Sequence, residues 1–502
     1  MTTHYKSLSD LGMEAVIGLE VHVQLLTDSK MFCGCKATYT GAEPNTHVCP
    51  VCLGMPGTLP VINEKAIELT VMTALSLNCK IAIDSKFDRK NYPYPDLMKG
   101  YQISQFDLPL TSKGWLNIEP ENQDDRKIGI TRVHLEEDTA RLVHRLDVTG
   151  DTYSLIDINR SGVPLMEVVG EPDLQSAEEA RLYLTKLHTI LQYLGVSTGN
   201  MDEGSFRCDA NISLRKIGDP LPNWKVEVKN MNSFRAVYRA LEFEIERQSN
   251  LIKNNQPIIQ ETRGWSEESL TTVSQRVKEY AHDYRYFPEP DLPPLIIDPK
   301  WVDQIRSTLP ELPDSRRDRF CDYYGLSLYD ASLLTSTKPT ANYFEEAMQA
   351  YKPNKKELST RAKITANWII GDLTHLLNES DNTIETSPVN PLALSKLLDL
   401  MDDGKISIRM AKEIFEEMFA DGTDPGSIME KRGILQINDT EELSKIIENI
   451  LANNQKAIED YSKGKQNALG FLVGQVMRQT KGQANPQTAN ELVKTALEEK
   501  ID

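Results

Sequence analysis

The sequence predicts an α+β protein: a large strand-rich domain, then an all-helical domain, then a small helical-bundle tail. Three observations carry this. Residues 15–25 alternate apolar and polar side chains almost without exception. Further β-branched, alternating stretches recur at 128–143, 153–169 and 204–215. Beyond residue 298 the alternation fades and apolar residues fall at helical spacing. The boundaries expected are 1–297, 298–432 and 433–502, with the proline-rich Asp283–Pro294 as the exit from the first domain.

The first stretch organises the rest. Ala15, Ile17, Leu19, Val21, Val23 and Leu25 share one strand face, and Val16, Gly18, Glu20, His22 and Gln24 share the other. The apolar face requires a covered sheet. Glu20 and His22 stand roughly 7 Å apart along the polar face, close enough to converge on a small ion or a phosphate. Solvated residues on an open sheet face would show the same alternation.

The chain carries a net charge of -18, which argues against a simple basic nucleic-acid-binding module. Any contact with nucleic acid must then be local. No apolar stretch is long enough to span a bilayer, and the first residues form neither a signal core nor an Arg-rich transit segment. A soluble protein of the cytoplasm, or of an organelle interior, is expected, with no membrane partner. Of seven cysteines, Cys33, Cys35, Cys49 and Cys52 form a C-x-C…C-P-V-C pattern. In a reducing compartment that pattern reads as a closed structural zinc site; disulfides and an iron–sulfur cluster are the alternatives.

Helical spacing runs from Asn63 to Leu77. The segment Phe87–Gln105 is dense in cations, aromatics and amides, and Lys90 and Lys99 there suit phosphate binding. Glu167 lies among apolar residues, where an unpaired carboxylate is costly; Arg160 is one possible partner. Ser176 and Glu179 make a capping box for a helix that Gly195 ends, and another helix begins near Ser233. Asp209, Asn211 and Ser213 share a strand face, as Glu20 and His22 do. In the tail, Gly470 and Gly474 interrupt the helical pattern. Arg478 and Lys481 are the candidate contacts if the tail binds nucleic acid. A P-loop, an amidase-type Gly-Gly-Ser-Ser run and a G-x-S-x-G elbow are all missing from the sequence, so it holds no self-contained nucleophile system.

Ordered motifs over nearly the whole chain resemble the family of the aspartyl/glutamyl-tRNA amidotransferase B subunit. They are V-I-G-L-E-V-H-V-Q-L at 16–25, K-F-D-R-K-N-Y-P-Y-P-D at 86–96, Y-Q-I-S-Q-F-D at 101–107 and H-L-E-E-D at 134–138. N-R-S-G-V-P-L-M-E at 159–167, E-G-S-F-R-C-D-A-N-I-S-L-R at 203–215, H-D-Y-R-Y-F-P-E-P-D-L-P-P-L at 282–295 and G-F-L-V-G-Q-V-M at 470–477 follow. The resemblance implies a cradle-shaped catalytic domain, a helical domain and a tRNA-gripping tail. It implies ATP- and magnesium-dependent activation of the side-chain carboxylate of Glu-tRNA(Gln) or Asp-tRNA(Asn). Ammonia then displaces the phosphate; it comes from glutamine hydrolysed by the partner amidase, the A subunit. A small C subunit completes a heterotrimer. The magnesium ligands implied are Glu20, His22, Glu137 and Glu167, with Lys90 and Lys99 beside them at the mouth of an ammonia tunnel. A non-catalytic tRNA-binding scaffold within the same complex is the alternative.

Overall fold

In the computed structural model the Met13–Gln24 strand lies inside an eight-stranded sheet. The structure describes residues 8, 12–277, 281–351, 357–432, 440–462, 465, 467–480 and 486–501. In spatial order the strands are Thr271–Val277, Glu261–Ser266, Val226–Met231, Phe206–Lys216, Met13–Gln24, Pro164–Gly170, Arg126–Glu137 and Gly114–Ile118. All neighbours are antiparallel except the Val226–Met231 and Glu261–Ser266 pair. The expected alternation holds: Ala15, Ile17, Leu19, Val21, Val23 and Leu25 are all buried. Helices Glu64–Ser76, Ala177–Leu194 and Phe234–Lys253 share the core with this face, through residues such as Ile67, Val71, Leu187, Leu191, Val237 and Leu241.

Local signals set these helices. Asn63, Ser176 and Ser233 each cap an N-terminus by accepting from a backbone N–H three residues on. Gly195 closes the second helix in the left-handed conformation, φ 68°. The carboxylate of Glu179 reaches back to the N–H of Gln175 at 2.7 Å.

A small three-stranded sheet of Phe287–Pro288, Asp88–Asn91 and Tyr101–Ser104 lies over the strand ending at Glu137. Arg89 fastens its margin through a two-pronged contact with Glu289, at 2.6 and 2.8 Å. Helix Pro299–Ser307 packs back on the first core through Val302 and Ile305. The first unit accordingly extends to Leu312, past the proline-rich exit, and the second runs from Pro313 to Asp502.

The described part of the second unit is helical and holds two separate cores, one built from residues between Phe320 and Met429 and one from residues between Leu443 and Leu497. Gly470 and Gly474 do not break the tail pattern; both lie within helix Asn467–Gln479. Neither glycine has a positive φ, and Leu472 and Val476 anchor that helix from its buried face. No helix among the described residues is long and apolar enough to cross a membrane.

Leu19 sits at the middle of the central strand with its side chain wholly in the core. Leu19→Ala should lower unfolding free energy by about 2–5 kcal/mol, read by denaturant titration of the purified chain.

Candidate functional site

The polar face of the central strand meets its neighbours in register. His22 pairs with Arg207 on one side and Glu167 on the other, and Glu167 pairs with His134. Residues opposite one another in an antiparallel ladder share a face, so four strands present one row: Arg207, His22, Glu167, His134. His22 Nε2 lies 3.6 Å from Glu167 Oε2, and His134 Nε2 lies 3.3 Å from the same oxygen. Arg132 Nε donates to His134 Nδ1 at 3.3 Å, which leaves Nε2 to carry the proton toward Glu167.

Glu136, two residues past His134 on the same face, brings Oε1 to 3.6 Å from His22 Nε2. Its other oxygen accepts from Ser104 at 3.2 Å. One nitrogen of His22 and one oxygen each of Glu136 and Glu167 lie within 4.8 Å of one another. Burial opposes ionisation of Glu167, but the imidazoles of His134 and His22, with Lys90 behind them, hold its carboxyl well below the usual carboxylate range.

Of the four acidic and imidazole residues expected to converge, the structure brings together His22 and Glu167. Glu20 stands on the same face but opposite Asp209, where it accepts from Asn211 Nδ2 at 2.9 Å. Glu137 lies on the other face. Neighbouring strand residues point to opposite faces, so Glu137 turns away from His22 and Glu136 takes the place beside it. The Glu137 carboxylate accepts from the Ile103 N–H at 3.0 Å and pairs with Lys99. Lys99 therefore belongs to a different place, a cavity of about 210 Å³ that it lines with Lys30, Cys33, Cys52 and Glu137. Gly54 roofs this lysine in the left-handed region, φ 67°, and a Cβ there would fall 2.3 Å from Lys99 Cγ. Lys90 lies over the Tyr284 ring, 4.9 Å from its centre.

Arg160 is not the partner of Glu167. It donates to the carbonyls of Thr139 and Ala140 at 2.9 Å and lies 3.8 Å from Asp138. Asp138 is buried and also receives Gln24 Nε2 at 2.7 Å and Arg207 Nη2 at 2.9 Å. Burial opposes its charge, yet Arg207 and Arg160 outweigh that and keep its carboxyl low. Arg160 and Arg207 face a cavity of about 590 Å³ together with Arg141 and Asn230.

The sulfurs of Cys33, Cys35, Cys49 and Cys52 lie within 4.8 Å of one another. A tight turn closes the second pair, with the N–H of Leu53 donating to Cys49 O at 3.0 Å and that of Gly54 to Val51 O at 2.9 Å. The Cys33 thiol, the Cys49 N–H and the Lys30 ammonium 3.9 Å away hold the Cys52 thiol down to about 5 against burial. Burial pushes Cys35 up to about 11. Buried Asn159 ties this loop to the turn before the Glu167 strand, receiving the His47 N–H at 2.8 Å and donating to Glu43 O at 2.8 Å. In the tail, Arg478 is exposed near the end of its helix, and Lys481 lies outside the described residues.

Sequence reasoning missed Glu136, His134 and Arg207. Parity within the H-L-E-E-D stretch groups His134 with Glu136 and separates both from Glu137, a usable signal. Which parity faces His22 depends on the pairing of strands far apart in sequence.

A family described as the GatB/GatE catalytic domain matches residues 15–303, and one described as the GatB domain matches residues 342–497. The chain is similar to the B subunit of aspartyl/glutamyl-tRNA(Asn/Gln) amidotransferase from Dehalococcoides mccartyi strain 195, 56% identical over 488 residues, 97% of this chain and 99% of the relative. It is 52% identical over 484 residues to the protein of that name from Carboxydothermus hydrogenoformans, 96% of this chain and 98% of the relative. For Thermomicrobium roseum the identity is 54% over 493 residues, 98% of this chain and 100% of the relative. With two domain matches along one chain and more than half its residues shared with full-length relatives, the chain belongs to the family of the aspartyl/glutamyl-tRNA(Asn/Gln) amidotransferase B subunit.

Proposed function

We propose that this chain carries the carboxylate-activating site of a tRNA-dependent, glutamine-hydrolysing amidotransferase, and that His22, Glu136 and Glu167 are its metal-holding residues. The observation that carries this is the meeting of one imidazole and two carboxylates on the polar face of the central strand. Two negative groups beside one imidazole form a donor set for a hard divalent cation, with magnesium favoured by the oxygens and manganese admitted by the nitrogen. Such an ion supplies charge neutralisation and Lewis acidity to a nucleoside triphosphate.

The protein's own part is positioning. His134 and Arg132 fix the orientation of Glu167, and Ser104 fixes that of Glu136. The side-chain carboxylate of tRNA-borne glutamate or aspartate attacks the γ-phosphorus of ATP, and ADP leaves. Ammonia then attacks the acyl carbon of the mixed anhydride, and phosphate leaves as the amide forms. Phosphoryl transfer needs alignment and charge balance more than a protein nucleophile, which agrees with the lack of one in the sequence. The ammonia comes from glutamine hydrolysed by the amidase partner, with the small C subunit completing the complex. Lys99 and Glu137, beside the cysteines, are proposed to act on the route by which ammonia arrives.

The cavity that Arg141, Arg160 and Arg207 line together with Asp157, Asp202, Glu203 and Asp209 is proposed to hold the tRNA acceptor end, with the arginines toward its phosphates. Arg478 is proposed to add tRNA affinity from the tail. A scaffold role alone would leave a histidine between two carboxylates without a use. Four thiolates at tetrahedral reach of one another fit a closed structural zinc site, which would stiffen the loop that Asn159 ties to the catalytic strand.

Glu136→Gln and Glu167→Gln should each weaken Mn2+ binding and lower phosphate transfer from ATP to Glu-tRNA by about a hundredfold or more, as loss of one charge at the transferring group implies. Glu137→Gln should leave Mn2+ affinity at the wild-type value. Metal analysis of the purified chain should give about one zinc per molecule, lost on Cys49→Ser with a fall in thermal midpoint.

A further inference from the structure

We propose that the hydroxyls of Tyr92 and Tyr286 hold the oxyanion that forms when ammonia attacks the activated acyl carbon. This inference rests on the activation chemistry proposed above and concerns its second step, the passage from acyl phosphate to amide. The two tyrosines come from segments far apart in sequence, and the small three-stranded sheet brings them to one place.

Position is the first argument. Register in the small sheet sets Asp88 opposite Ser104 and Lys90 opposite Gln102. Residues opposite one another share a face, so these four stand on one side of the sheet. That side looks onto the end of the Arg126–Glu137 strand: Ser104 donates to Glu136, and Gln102 Nε2 donates to Glu137 O at 2.8 Å. Tyr92 follows Lys90 by two residues, with the same parity. Tyr286 precedes Phe287, which pairs with Arg89 and meets it on the opposite side, so Tyr286 returns to this one. Its ring stacks on Phe106, with centroids 4.2 Å apart and planes 6° apart. The electrostatics mark the same place. Burial and the carboxylate of Glu136 push both phenols up, and Glu167 adds to this at Tyr286.

Availability is the second argument. Both residues are half-buried, yet neither hydroxyl has a hydrogen-bond partner among the described residues. A phenol so placed normally finds an acceptor. Tyr39 and Tyr343 do, donating to Gln24 Oε1 at 3.2 Å and to Val389 O at 2.8 Å. The chain beside Tyr286 is also held in a costly shape. Arg285 has φ 46°, in the left-handed region that a side chain disfavours. Asn91 fixes this turn by donating Nδ2 to Tyr284 O at 3.3 Å and to Arg285 O at 2.9 Å. Such strain persists where the surroundings over-determine it, and here it aims Tyr286 at the row while Tyr284 keeps its ring on Lys90.

The chemistry supplies the third. The lone pair of ammonia forms the carbon–nitrogen bond, and the carbonyl π pair moves onto oxygen. That negative oxygen develops beside the carboxylates of Glu136 and Glu167, which repel it. Neutral O–H donors in fixed positions stabilise it as its charge grows. Lys90, whose ammonium lies 5.6 Å from the centre of the Tyr92 ring, adds a positive charge beside the pair. On collapse the carbonyl re-forms and the carbon–oxygen bond to phosphate breaks. The extra proton on nitrogen leaves with the phosphate, so the step needs donors to the oxyanion and no further protein base.

The test uses the complete complex with its partner subunits, ATP labelled at the γ-phosphate, ammonium chloride as nitrogen donor, and single turnovers stopped by rapid quench. Tyr92→Phe and Tyr286→Phe keep the rings, including the stack on Phe106, and remove only the hydroxyls. Each should slow conversion of the acyl phosphate to Gln-tRNA by about a hundredfold, the loss expected for one oxyanion donor. Formation of the acyl phosphate and the KM values for ATP and Glu-tRNA should stay within about twofold, so that the acyl phosphate accumulates. A part in folding alone would slow both steps together or neither. Wild-type conversion in either variant would overturn the pair. Acyl-phosphate formation slowed as much as amide formation would also overturn it, because the phenols would then serve the first step. Full activation of Glu-tRNA by Glu167→Gln would break the underlying activation chemistry instead, an outcome distinct from either result at the tyrosines.

Discussion

The register of the Met13–Gln24 strand against its two neighbours is the constraint on which the rest depends. A strand has two faces, and this one uses both. Its odd-numbered residues close the core under three helices, and its even-numbered residues carry Gly18, Glu20 and His22. A slip of one residue would turn the apolar set toward the cavities and the polar set into the core. Burial of six apolar side chains therefore also fixes the ring of His22 opposite Glu167. The energy that holds the sheet together is the energy that positions the site.

The same parity explains how charges are shared out in the H-L-E-E-D stretch. Glu136 and Glu137 are chemically alike and adjacent, yet one meets His22 and the other meets Lys99. Asp138, next along, is drawn into a buried group with Gln24, Arg160 and Arg207. Three consecutive acids thus serve three separate ends within one short run of chain. Each acid has its own compensating group, as buried carboxylates require.

What the sequence disclosed follows the range of the interactions. The strand faces, the caps at Asn63, Ser176 and Ser233, and the stop at Gly195 are local, and each was legible. The cysteine pairs were legible because four thiols at short spacing have few uses. Glu136, His134 and Arg207 were hidden because their roles come from the pairing of strands that are not neighbours in sequence, His22 with Glu167 and Arg207, and Glu167 with His134. Lys99, which the resemblance places beside the metal ligands, pairs with Glu137, and that residue faces away from His22. Gly470 and Gly474 read as interruptions because helix propensity is weaker than packing, and Leu472 and Val476 hold that helix.

Taken together, the polar face reads as a single track. It runs from the cavity beside Gly18 and Glu20, through the row of His22 and Glu167, to the cavity that Arg141, Arg160 and Arg207 line together with Asp157, Asp202, Glu203 and Asp209. The central claim is that His22, Glu136 and Glu167 hold the divalent ion on this track. Crystals of the complex grown or soaked with Mn2+, and measured for anomalous scattering at the manganese edge, test it most directly. The account predicts a manganese peak within about 2.0–2.3 Å of His22 Nε2 and one carboxylate oxygen each of Glu136 and Glu167. A peak bound instead by Glu137, or no peak on this face while the complex remains active with Mn2+, would contradict it.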